Sequence, residues 1–195
     1  NKCDLKTLKN ILKYFGDERD SSRIANNIVK EREKSPILSV PKLVDIIQKS
    51  KKKNFKKKIN ISTQTFQAIR IFVNKEISEL VNGLIKATKF LKKGGKLIVV
   101  SFHSIEDRIV KFYFSNYSKN KSKGSRYYPH IKNEEILFED YKNKIIKPKE
   151  HEIKENISSR SAKLRYAIRS KDNYFYPEEL KKRFADYLNL ESEHV

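Results

Sequence analysis

The chain has 195 residues, one cysteine (Cys3), 44 lysines and arginines against 24 aspartates and glutamates, and a formal net charge of +20. This length can bury a core without disulfides, a single cysteine cannot form an internal bridge, and no apolar run approaches the roughly 20 residues of a membrane span. A disulfide scaffold and a helical membrane protein are therefore excluded, and the charge favours a polyanionic partner.

Asp4 caps a first helix carrying Leu5, Leu8, Leu12 and Phe15 at helical spacing, and Gly16 is placed to end it. Ser21 or Ser22 caps a second helix, with Ile24, Ile28 and Val29, that stops before Ser35-Pro36. Ser39 followed by Pro41 starts a third, through Leu43, Ile46 and Ile47. Lys49 to Lys58 is a lysine-rich connection, readable as a solvated loop or as a phosphate-contacting arm. Thr63 to Val73 and Glu76 to Leu91 follow as helices.

Gly94 to Val110 is the most informative stretch. The continuous apolar run Leu97 to Val100 predicts a parallel strand buried on both faces, launched by Gly94-Gly95. Ser101, His103 and Ser104 stand at its carboxyl end, and Ser104 with Asp107 has the spacing of a capping box ahead of Ile105, Ile109 and Phe112. The carboxyl edge of such a sheet is where α/β proteins bind ligands. Residues Ser118 to Asn133 read as an exposed loop, Ile136 to Ile146 as a strand, Pro148 to Glu155 as a short helix and Ser161 to Arg169 as an alternating strand. Pro177 to Leu190 completes the chain as a helix, docked or loosely held.

The Ser101 to Asp107 cluster invites a hydrolase reading, but its members are sequence neighbours and no G-x-S-x-G elbow accompanies them. An ordinary capped strand end is the plain alternative. The four histidines show no metal-ligand spacing, so no metal is expected. None of the five glycines (Gly16, Gly83, Gly94, Gly95, Gly124) belongs to a G-x-G-x-x-G turn. In Ser158 to Arg165, SSRSAKLR, three cations alternate with small hydroxyl residues, which suits phosphate contacts and equally suits a charged edge strand.

Four segments together carry a family resemblance. GGKLIVVSFHSIEDRIVK (94 to 111) resembles the G-G-R-L-x-V-I-S-F-H-S-L-E-D-R-I-V-K signature of the bacterial 16S ribosomal RNA N4-cytosine methyltransferases, and SSRSAKLR resembles their N-P-R-S-R-S-A-K-L-R. TQTFQAIRIFVNKEISEL (63 to 80) is similar to A-T-R-T-F-Q-A-L-R-I-x-V-N-x-E-L, and ILKYFGDERDSSRIANNIVKERE (11 to 33) to I-L-x-x-Y-G-E-E-R-x-x-x-x-I-A-x-x-I-V-x-x-R. Asn156-Ile157-Ser158-Ser159 departs from the usual N-P-R-S, losing one proline and one arginine.

The resemblance implies an α/β fold: the carboxyl half of a class I, Rossmann-like methyltransferase sheet with an inserted all-helical substrate-recognition domain. Residues 1–74 would be that insertion, 75–170 the half-sheet and 171–195 a helical tail. It implies S-adenosylmethionine as cofactor, 16S ribosomal RNA or the small ribosomal subunit as partner, and a cytoplasmic setting. Ser101, His103 and Ser104 would form one wall of the catalytic site, and Arg70, Arg108, Arg160, Lys163 and Arg165 would contact RNA. The family's glycine-rich loop, ribose-binding acid and D-L-G-x-S-S segment have no counterpart here, and the chain has no methionine, so it is expected to be a piece of a longer enzyme. A non-enzymatic RNA-binding module is the alternative.

Overall fold

The computed structural model describes residues 1–51, 61–118, 136–139 and 141–192, so most of the lysine-rich connection and of the loop expected after Ser118 lies outside the described residues. The chain divides into two units, residues 1–77 with 186–195, and residues 78–185.

The first unit is helical. Helices α1 (Leu5–Gly16), α2 (Ser21–Lys34), α3 (Val40–Ser50) and α4 (Thr63–Asn74) bury Leu12, Phe15, Ile24, Ile47 and Ile71 against one another. The Asp4 carboxylate accepts from Thr7 N at 3.0 Å and Ser39 Oγ from Lys42 N, so the caps on α1 and α3 stand as expected. Two local readings are corrected. Helix α2 is preceded by Asp20, which makes no side-chain cap bond, with Ser21 and Ser22 inside the helix. The left-handed residue that ends α1 is Asp17 (φ 47), not Gly16. Gly16 serves a close approach instead: a Cβ there would lie 2.7 Å from the Gln64 carbonyl oxygen and 3.1 Å from the Ala68 Cβ of α4.

Helix α5 (Glu76–Phe90) begins in the first unit and continues into the second. The second unit contains β1 (Lys96–Ser101), α6 (Ser104–Asn116), α7 (Glu150–Glu155), a 3-10 turn (Ile157–Ser161), β2 (Lys163–Ile168) and α8 (Glu178–Arg183). Gly94, at φ +78, shapes the turn into β1. The core is aromatic: Phe138 lies edge-on to Tyr113 and Phe114, with centroids 5.3 and 5.1 Å apart. The Tyr113 hydroxyl donates to Thr88 Oγ1 at 2.8 Å, and burial pushes its pKa well above the usual phenol range.

β1 departs from the sequence reading. It pairs with β2 in antiparallel register, from Lys96↔Ile168 to Ser101↔Lys163, rather than in a parallel sheet. Ile98 and Val100 are 58% and 48% exposed while Leu97 and Val99 are half-buried. Helix α6 packs on the pair, and among the described residues nothing covers the other face. Four apolar residues in a row cannot by themselves specify strand direction, because their side chains point to both faces.

The strand expected over Ile136 to Ile146 reduces to isolated bridges, Phe138↔Arg169 and Ile146↔Leu164, along the second edge of β2. Leu137 and Phe138 are drawn into the core, and Asn143 turns at φ 50, which breaks the extended run. The final helix is also two. Helix α8 docks through Leu180 N, which donates to the Tyr117 hydroxyl at 3.1 Å. Helix α9 (Ala185–Ser192) seats Tyr187 on Phe15 and places Glu191 Oε1 3.1 Å from Ile77 N in the first turn of α5.

Candidate active-site wall at the carboxyl end of strand β1

The antiparallel pairing brings together two segments some sixty residues apart, because Ser101 stands opposite Lys163. Ser101 is buried, and its hydroxyl donates to the Lys163 carbonyl at 3.3 Å, fastening the end of β1 to the start of β2. The chain then turns into α6.

That turn is held by a capping box one residue earlier than expected. His103, not Ser104, is the N-cap: its Nδ1 accepts from Glu106 N at 3.4 Å, while Glu106 Oε2 accepts from His103 N at 3.2 Å and Phe102 N at 2.8 Å. Glu106 and Asp107 both offered acceptors at capping distance in sequence. Asp107 is taken by β2, so Glu106 closes the box. Ser104 is the first residue of α6 and is exposed.

Asp107 is the hinge of the cluster. Its Oδ1 accepts from Arg165 Nε at 2.7 Å and its Oδ2 from Lys163 Nζ at 3.2 Å. Burial raises the Asp107 pKa, but the hydrogen bonds and charges of Arg165 and Lys163 outweigh it and hold the carboxyl below its usual range. Arg165 is 3% exposed at its side chain, and Nη1 donates to the Tyr141 hydroxyl at 2.8 Å and to Asn143 Oδ1 at 2.9 Å. Burial pushes the Tyr141 phenol up, with the neighbouring guanidinium pulling the other way.

The residues expected to meet RNA thus divide. Arg160 is exposed on the 3-10 turn, Lys163 is partly exposed beside Ser101, and Arg108 is exposed on α6. Arg165 points inward with its donors engaged, so it fastens the site rather than facing a ligand. Arg70 lies in the first unit, paired with Glu76 through Nε at 2.8 Å and Nη2 at 3.0 Å. Sequence reasoning missed Tyr141 and Asn143, whose link to Arg165 has no signal in spacing. It also missed Arg169, whose buried Nη1 donates to the Leu137 carbonyl at 2.9 Å and pins the segment that carries Phe138.

The geometry defines a mixed α/β chain, mostly helical with a small two-stranded sheet, whose polar residues converge on one strand end beside basic side chains. Residues 1–170 match the MraW methylase family, and the chain belongs to that family. It is 41% identical over 170 residues to "Ribosomal RNA small subunit methyltransferase H" of Cereibacter sphaeroides (strain ATCC 17025 / ATH 2.4.3), covering 87% of this chain and 51% of that protein. Proteins of the same name from Sinorhizobium fredii (39% over 170 residues; 87% and 50%) and Afipia carboxidovorans (43% over 165 residues; 85% and 49%) are similar. The chain therefore spans about half the length of the curated relatives it matches. Among the described residues no helix is long and apolar enough to cross a membrane.

Proposed function

We propose that this chain supplies the RNA-recognition helices and one wall of the catalytic site of an S-adenosylmethionine-dependent methyltransferase that modifies the N4 amine of a cytidine in 16S ribosomal RNA, in the cytoplasm. The family membership and the relatives' names support the substrate class. The observation that carries the site is the Ser101↔Lys163 pairing, which joins the strand-end polar cluster to the basic SSRSAKLR segment through Asp107. Residues 1–74 are assigned as the recognition helices and 75–170 as the carboxyl half of the catalytic sheet.

The cytosine amine is a poor nucleophile because its lone pair is delocalised into the ring. Catalysis by this wall is therefore mainly positioning, with polar groups meeting the amine as charge develops. Ser104, exposed at the start of α6, offers its hydroxyl to the base. Ser101 and His103 fix where that hydroxyl sits, one by tying β1 to β2 and the other by capping α6. Arg160 and Lys163 face the phosphates on either side of an unstacked base.

S-adenosylmethionine, when bound, supplies the electrophilic methyl group. The described residues of this chain do not fit a complete pocket for it: Gly94 and Gly95 precede β1 and shape its entry, and among the described residues no glycine follows a strand to receive a carboxylate or ribose. Those contacts are assigned to the half of the family fold that the relatives carry beyond this segment. That gap and the net charge of +20 favour a second reading, a non-enzymatic RNA-binding module.

One experiment separates them. The amino-terminal half of the Cereibacter sphaeroides relative is joined ahead of Asn1, and the fusion is incubated with small ribosomal subunits and methyl-labelled S-adenosylmethionine. Label recovered as N4-methylcytidine in 16S ribosomal RNA is the expected result. RNA binding without transfer by a folded fusion would favour the module.

A further inference from the structure

The Asp17-Glu18-Arg19 segment that follows α1 has no part in the strand-end site, yet it forms one wall of an open cleft of about 680 Å3 within the first unit. That volume is in the range of small-molecule and nucleotide sites. Lys9 and Lys13 on α1 and Arg19 beyond its end line it, together with the rings of Tyr14 and Tyr187. The two rings meet edge-on with centroids 6.1 Å apart, and Lys13 Nζ lies 5.5 Å from the Tyr14 centroid.

The charges are arranged to leave this cleft positive. Glu18 also lines the cleft, but it is buried, 2.5 Å from Lys51 Nζ and accepting from Thr65 Oγ1 at 3.3 Å, so its charge is neutralised by a cation of the first unit. Of the two acids that line the cleft, Asp17 is then the one without a paired cation, against Lys9, Lys13 and Arg19. Among the described residues neither Lys9 nor Arg19 has a carboxylate partner, whereas Lys34, Lys49, Lys51, Arg70 and Lys163 all do. Cations without a carboxylate partner around half-buried aromatic rings suit a ligand that carries phosphates and flat bases together, and single-stranded nucleic acid is that ligand.

We infer that this cleft is a second RNA contact, separate from the strand-end wall, which holds one or two nucleotides of a single-stranded segment with a base against Tyr14 and Tyr187 and phosphates on Lys9, Lys13 and Arg19. The inference rests on the reading of RNA as substrate. It deepens that reading by naming where the helical unit grips the strand.

The test is a fluorescence anisotropy titration of the whole chain against a labelled single-stranded RNA of about twelve nucleotides over a series of salt concentrations. Lys13→Gln with Arg19→Gln, both exposed positions, should weaken binding by about tenfold and reduce the log-log salt slope by about 1.4, two contacts at about 0.7 each. Tyr14→Leu should weaken binding about fivefold or more with the slope unchanged, the signature of lost stacking. Thermal melts of each variant establish that it is folded. If the cation pair changes neither affinity nor slope while Arg160→Gln does, the cleft falls and the RNA reading stands. If the parent chain binds no RNA, both fall. Displacement by polyglutamate as readily as by unlabelled RNA would also overturn the inference, since charge alone would then explain the binding.

Discussion

Arg160 and Arg165 sit five positions apart in one basic motif, and their surroundings give them opposite consequences. Arg165→Ala removes the buried cation that Asp107, Tyr141 and Asn143 face, and is expected to cost about 3 to 5 kcal/mol of stability. Arg160→Ala, at an exposed position, should leave stability within about 0.5 kcal/mol and lower the RNA salt slope by about 0.7. Denaturant titration beside salt-dependent binding checks both, and equal stability losses would contradict the inward placement of Arg165. Asp107 adds a pH dependence. Its folded pKa lies below its unfolded value of about 3.9, so its stabilisation is fully present above that value and disappears as pH falls through the folded pKa. Asp107→Asn should therefore lose stability at neutral pH and show a shallower decline between about pH 5 and pH 2 than the parent. Parallel acid curves would remove Asp107 from this role.

At the scale of elements, helix ends and close approaches decide where the site lies. His103→Ala is expected to destabilise α6 by about 1 kcal/mol through loss of its cap, and His103→Asn, an effective cap in its own right, to restore it. In the fusion with the relative's amino-terminal half, methyl transfer should fall with Ala and recover with Asn if His103 acts by positioning Ser104. Restored stability without restored transfer would move the imidazole itself into the chemistry. Gly16→Ala drives a Cβ against the Gln64 carbonyl at 2.7 Å, so α1 and α4 must separate, at a cost of about 1 to 3 kcal/mol. A thermal midpoint unchanged from the parent would refute that packing. This pair of helices is legible as helices in the sequence, but Gly16 reads there as a terminator because a close approach between two elements leaves no mark in either one alone.

For the molecule as a whole, the chain is expected to show no measurable binding of S-adenosylmethionine in calorimetric titration, since among the described residues no glycine-rich turn follows a strand, and the acids that follow β1, Glu106 and Asp107, are taken by the α6 cap and by Lys163 and Arg165. Micromolar binding would mean that the pocket is built from residues of this chain. The sequence by itself determined the helices up to α7, the caps on Asp4 and Ser39, both strands within one or two residues, the basic character and the family, because periodicity, capping chemistry and motif order are local properties of the chain. Only the tertiary structure decided the rest: that β1 runs antiparallel to β2, that Asp107 leaves the α6 cap for Lys163 and Arg165, and that Arg165 turns inward while Arg160 faces solvent. Strand direction and the choice between two acceptors one residue apart depend on which partner arrives from sixty residues away, and that competition is settled by burial and charge rather than by spacing.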